Sequence, residues 1–167
     1  MIRSIDDFVT LWKSESESTL KVFSALTDVS LSQAISRDHR TIARIAWHLT
    51  QTPREMLLKT GLSVSGPDEH EAPPATAASI ADAYTRTASS VTEQVRAQWT
   101  DATLAEQDEL YGEQWTRGFT LQVLVLHQTH HRGELIVLMR QAGLRVPGIY
   151  GPAREDWAQW NMQPPAI

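Results

Sequence analysis

Two apolar runs, one holding Leu121, Val123, Leu124, Val125 and Leu126 and the other Leu135, Ile136, Val137, Leu138 and Met139, enclose His127-Gln128-Thr129-His130-His131-Arg132-Gly133-Glu134. The whole stretch, from a predicted cap at Thr120 to a stop at Gly143, reads as one helix. On a helix, His127 and His131 lie on one face, about 40° apart in azimuth and about 6 Å apart along the axis. That spacing lets two imidazoles reach one metal ion. A third histidine, His48, sits on another strongly helical stretch, Thr41 to Leu58. The pattern therefore predicts a three-histidine site built between helices.

The remaining chain supplies the partners such a helix needs. Ser4, with Asp6 and Asp7 after it, opens a helix whose apolar residues Ile5, Phe8, Val9, Trp12, Leu20, Phe23 and Leu26 recur largely at three- and four-residue intervals. Residues 27–37 form a polar connection with Leu31 and Ile35 as anchors. Asp38 or Thr41 caps the second helix, and His39 is a surface residue at its start. Pro53 lacks an N–H and its ring opposes the Leu49 carbonyl, so a kink or a restart is expected there. Residues 61–77, rich in Gly, Pro and acids, make an exposed loop in which His70 is solvated. Thr76 or Ser79 caps a third helix carrying Ile80, Tyr84, Ala88, Val91, Val95 and Trp99. Residues 100–118 break the pattern with a short hairpin or tight loop around Tyr111-Gly112 and Trp115. Beyond Gly143, a Pro-Gly tail holds one short helix over 153–161 that presents Trp157 and Trp160. The expectation is a single all-α domain over residues 1–167, a four-helix bundle with long second and third connections.

Composition narrows the function. Among the 167 residues there is no cysteine, so thiolate nucleophiles and thiolate ligands are excluded and any metal is held by nitrogen and oxygen. A formal net charge of −5 without a Lys/Arg run argues against nucleic acid as a partner. No apolar run approaches membrane-spanning length, and the acids at Asp6 and Asp7 stand where an export signal would be apolar; the expected compartment is the cytoplasm, with no membrane partner. The six tryptophans and the aromatic tail give an expectation of a homodimer.

Three neutral imidazoles suit zinc, nickel, cobalt, copper or ferrous iron, and they leave the ion's charge uncompensated and a coordination position open. Such a site favours an acidic bound water over a closed structural role. His130 is an alternative ligand, but it points roughly 60° to the other side of His127. The peptidase motif His-Glu-x-x-His is absent, because Gln128 follows His127. Glu134, i+3 from His131 and on the same face, is the candidate catalytic carboxylate: a fourth ligand, an acceptor for a histidine N–H, or a general base. The competing reading is a surface ion pair with Arg132 or Arg140.

Ile45-Ala46-Trp47-His48-Leu49, His127-Gln128-Thr129-His130-His131-Arg132-Gly133-Glu134-Leu135, and Met139-Arg140-Gln141-Ala142-Gly143 with its Pro-Gly tail resemble the DinB/YfiT-like superfamily. The resemblance spans nearly the whole chain in helix order. It implies a four-helix bundle, often a homodimer, with a divalent metal on His48, His127 and His131. Glu134 departs from the Gln more usual after Arg-Gly in that family. Members include thiol-dependent S-transferases and a mycothiol-dependent maleylpyruvate isomerase. The resemblance thus implies a metal-dependent enzyme on a small molecule, of the thiol S-transferase or hydrolase kind, with zinc or nickel as the metal and a low-molecular-weight thiol as a candidate cofactor. The alternative is a non-catalytic metal-binding or stress-related helical homodimer.

Overall fold

The computed structural model describes residues 2–166. Its frame is four α-helices: α1 (Ile5–Ser24), α2 (Ile42–Leu58), α3 (Ala77–Gln98) and α4 (Arg117–Gln141). A hairpin of β1 (Gln107–Leu110) and β2 (Glu113–Thr116) precedes α4, with Gln107 opposite Thr116 and Leu110 opposite Glu113. Tyr111 and Gly112 make its two-residue turn with φ of 55° and 84°. Two consecutive positive φ angles define the turn whose twist matches antiparallel strands, and glycine takes the second without strain.

Each helix starts where a hydroxyl can take up a free backbone N–H. Ser4 accepts from Asp7, Thr41 from Arg44, Thr76 from Ser79 and Thr116 from Phe119. Thr116 thus replaces the expected cap at Thr120, because β2 runs into α4 with no intervening loop. The Thr120 hydroxyl instead donates back to the Thr116 carbonyl at 3.3 Å.

Both α1 and α2 pack against α3 and α4, so the helices follow the cyclic order α1, α3, α2, α4 and α1 lies diagonally opposite α2. The first connection, residues 25–41, is consequently as long as the second and third, which the sequence had singled out. It must carry the chain across the end of the bundle. Leu31 anchors it in the core, whereas Ile35, expected as a second anchor, is 59% exposed.

The core is filled by Phe8, Trp12 and Phe23 of α1, Ile42, Leu49 and Leu57 of α2, Ile80, Tyr84 and Val91 of α3, and Leu121, Leu124 and Leu135 of α4. Burying each of the larger apolar side chains contributes about 1.5–3 kcal/mol. Trp12 is buried without an orphaned donor, its indole N–H reaching the Ala88 carbonyl at 3.0 Å.

Helix α2 runs continuously through Pro53, so of the kink or restart expected there the restart does not occur. The Leu49 carbonyl, which the proline cannot serve, accepts instead from the side-chain amide of Gln128 at 3.0 Å. Gln128 is fully buried, and its Oε1 accepts from Tyr84 Oη at 3.0 Å and from Thr19 Oγ1 at 3.3 Å. One α4 residue therefore makes polar contacts with α1, α2 and α3, and satisfies a carbonyl that would otherwise be desolvated at a cost.

One turn further along α4, Arg132 is almost wholly buried. It pairs with Glu15 rather than with Glu134: Nη2 reaches Glu15 Oε2 at 2.6 Å, and Nη1 donates to the Glu15 carbonyl at 2.9 Å. The tail closes over this pair, with Tyr150 Oη donating to Glu15 Oε2 at 2.6 Å. The predicted terminal helix is a 3-10 helix, Arg154–Trp160, in which Trp157 is half-buried, Trp160 is exposed and the two rings meet edge to face. Among the described residues no helix is long and apolar enough to cross a membrane.

Candidate metal centre

His127 and His131 come from successive turns of α4, and His48 faces them from α2, its packing neighbour. The rings of His127 and His131 are 4.5 Å apart, centre to centre, and that of His48 lies 4.9 Å from the first and 4.8 Å from the second. One nitrogen from each ring lies within 4.8 Å of the other two. Nε2 of His48 and Nε2 of His127 are 3.1 Å apart. Two nitrogens bound about 2.0–2.1 Å from a tetrahedral ion stand about 3.4 Å from each other, a separation that the His48 and His127 pair nearly has already. These are the three histidines singled out from the sequence, and they do converge.

The surroundings keep the His48 and His127 rings uncharged. Burial, followed by the proximity of His127 and His131 and then of Arg40 and Arg44, pushes His48 down to about 3. Burial and the neighbouring histidines likewise push His127 down to about 4. Neutral imidazole is the form that coordinates metal, so at neutral pH no proton has to leave His48 or His127 before an ion can bind. The same shifts make the metal-free fold acid-sensitive. An unfolded chain takes up these protons near about 6.5, whereas the folded protein resists them until about 3 to 4. Between those limits the unfolded state binds more protons, so stability falls as pH drops and is restored above about 6.5. The metal-free wild type is expected to lose thermal stability on acidification from pH 6.5 to 4 more steeply than His127→Gln. Parallel melting curves across that range would contradict the burial of neutral rings.

The three rings differ in how they are held. His131 Nδ1 lies 2.6 Å from Glu134 Oε2, which fixes the proton on Nδ1 and leaves the Nε2 lone pair for a cation. His48 Nδ1 has only the Thr52 hydroxyl at 3.5 Å. His127 Nδ1 is buried and has no hydrogen-bond partner among the described residues, so nothing there fixes its tautomer. Of the three roles considered for Glu134, the geometry favours the acceptor for a histidine N–H. Its other oxygen lies 3.3 Å from His130 Nε2.

His130, the doubtful ligand, faces outward and is 68% exposed at its side chain. With His131 and Glu134 it forms a second group of potential donors, but a more exposed one that shares His131 with the first. The remaining histidines lie apart. His39 is exposed beside Ser36, and His70 is exposed beside Glu69. Sequence reasoning missed the roles of Gln128 and Arg132, which alternate with the histidines along α4 and hold it against the other helices.

Two clefts open on the centre. One, of about 580 Å³, is walled by His131, Glu134, Ile45, Val137 and Leu138. The other, of about 530 Å³, is reached by His48 and His127 and walled by Arg40, Arg44, Tyr111 and Trp115. Volumes of this order suit small molecules.

The DinB family model matches residues 1–162. The uncharacterized protein YrdA of Bacillus subtilis (strain 168) is 41% identical over 167 residues, covering all of both chains. A DinB-like protein from Bacillus cereus ATCC 10987, known from its crystal structure, is 40% identical; it superposes with a TM-score of 0.86 over 90% of this chain and 100% of its own. The DinB-like protein YjoA of Bacillus subtilis has a TM-score of 0.66 over 87% of this chain and 99% of its own, but is 18% identical and so speaks for the fold alone. Since the family pattern runs almost end to end and the relative at 41% identity is matched along its full length, the chain belongs to the DinB family.

Proposed function

We propose that the protein binds a divalent metal, zinc or nickel, on His48, His127 and His131 and acts as a metal-dependent enzyme on a small molecule. The observation that carries this reading is the convergence of three imidazoles at the meeting of two clefts. Three histidine ligands leave at least one position for an exchangeable group, the arrangement of catalytic rather than closed structural sites. When bound, a divalent cation there supplies Lewis acidity that lowers the pKa of a thiol or a water. Thiol S-transfer and hydrolysis are therefore the two reaction classes that suit the site.

The chain's own residues have distinct parts. His48 and His127 stay neutral through burial and present lone pairs. Glu134 positions His131 by accepting its Nδ1 proton in a hydrogen bond, and its half-exposed carboxylate also lines the apolar cleft. Outer partners of this kind typically change metal affinity by about 10–100-fold. Glu134→Ala is accordingly expected to weaken metal binding within that range while leaving the fold intact. A dissociation constant identical to wild type would remove Glu134 from the site.

Cobalt reports directly on whether the site is open. Titrating the cobalt-substituted protein with low-molecular-weight thiols is expected to change its visible spectrum as sulfur enters the coordination sphere. A spectrum indifferent to every thiol tested would count against thiol transfer and favour hydrolysis or the non-catalytic metal-binding alternative.

A further inference from the structure

The two clefts differ in chemistry. Around His131 the wall combines Ile45, Val137 and Leu138 with the carboxylates of Asp38 and Glu134, while His48 and His127 open onto a wall carrying two guanidinium groups. Arg40 borders both clefts. Neither Arg40 nor Arg44 has a carboxylate within ion-pairing distance among the described residues. Arg44 Nη1 instead donates to the neutral amide oxygen of Gln51 at 3.3 Å. Gln51 is itself buried and held by the Glu71 carbonyl at 3.0 Å, so Arg44 is steadied without being neutralised.

Two carboxylates share the polar cleft. Glu55 accepts from Tyr111 Oη at 2.8 Å and lies 3.3 Å from Lys59 Nζ, and Glu69 lies 3.4 Å from His70 Nε2, a contact that is an ion pair only when the histidine is protonated. Neither carboxylate pairs with Arg40 or Arg44, so among the described residues the two guanidinium charges stand unpaired beside the histidines.

We propose that Arg40 and Arg44 form a carboxylate subsite on the His48 and His127 side of the centre, and that the small molecule bound in that cleft carries a carboxylate. The inference rests on the reading of the centre as an open substrate site and names the class of molecule it takes. A guanidinium pair matches the planar, singly charged carboxylate. A phosphate monoester would bring a second negative charge toward Glu69, whose neighbour His70 balances it only when protonated, and this disfavours it. Tyr111 and Trp115 offer aromatic faces to the rest of the ligand.

Butyrate is a direct probe, with butyramide as its uncharged counterpart and methyl phosphate as the competing anion. Each is titrated into the metal-free full-length chain, with binding followed by the Trp115 indole and arginine side-chain NMR signals. Butyrate is expected to shift these signals saturably, Arg40→Gln/Arg44→Gln to weaken it at least tenfold, and butyramide to shift nothing. Absence of saturable butyrate binding, equal affinity in the double variant, equal binding of butyramide, or tighter binding of methyl phosphate would each overturn the subsite. Because the titration is made without metal, failure of the metal centre leaves its outcome unchanged. Conversely, the double variant is expected to retain wild-type metal content, so loss of anion binding is not mistaken for loss of the centre.

Discussion

Replacing Arg132 by methionine is expected to destabilise the protein by about 3–5 kcal/mol, the cost of leaving a buried charge without its partner. Glu15 is 5% exposed, and its carboxylate has Arg132 Nη2 at 2.6 Å as its single cationic partner among the described residues. Without Arg132, the carboxylate keeps only hydroxyl donors, Tyr150 at 2.6 Å and Thr129 at 3.4 Å. The Glu15 carbonyl and Thr19 Oγ1, at 2.9 and 3.2 Å from Arg132 Nη1, lose a donor as well. For a chain of this size such a loss lowers the melting temperature by roughly 10 °C. The effect is not a measure of what the pair adds over an apolar core. Glu15→Leu combined with Arg132→Met removes both charges and is expected to recover most of the loss, because the desolvation cost disappears with them. Urea unfolding of the two single variants and the double variant checks this; a single Arg132 variant within about 1 kcal/mol of wild type would show that water, not Arg132, satisfies Glu15.

The helical frame and the histidine convergence were legible in the sequence because both follow from local periodicity. Apolar residues three and four apart marked α1, α2 and α3, and the i, i+4 spacing of His127 and His131 placed them on one face whatever the tertiary arrangement. Helix α4 was harder: its apolar residues come as two runs around a polar middle and not as one stripe, so its periodicity does not say which polar residues turn inward. Arg132 accordingly figures there only as one candidate surface partner for Glu134, and Gln128 only as the absence of a peptidase glutamate. A signal was nonetheless present in α1: Phe8, Trp12, Glu15, Thr19, Val22 and Phe23 form its buried stripe, and Glu15 is the one charged member. A carboxylate in a core stripe requires a buried cation elsewhere. Pro53 carried a similar message, since a proline within a continuous helix leaves a carbonyl that some other donor must serve. The diagonal placement of α1 and α2 had no such local trace. It depends on which helix faces fit together, and the length of residues 25–41 was its only hint.

The centre itself carries the second large effect. In the proposed centre His48, His127 and His131 each offer one donor, so loss of any one would leave an ion on two imidazoles with no compensating protein ligand. The drop in affinity is expected to exceed the 10–100-fold typical of an outer partner such as Glu134. His130, exposed and turned away from His48, serves as the control: His130→Ala is expected to bind metal as wild type does. The most direct measurement is the metal content of tag-free protein after zinc or nickel loading and dialysis, for wild type, His48→Ala, His127→Ala, His131→Ala and His130→Ala. The expected result is about one ion per chain in wild type and His130→Ala, and near-complete loss in the other three. Equal metal content in all five proteins, or a wild type that retains none, would contradict a metal centre on these three histidines.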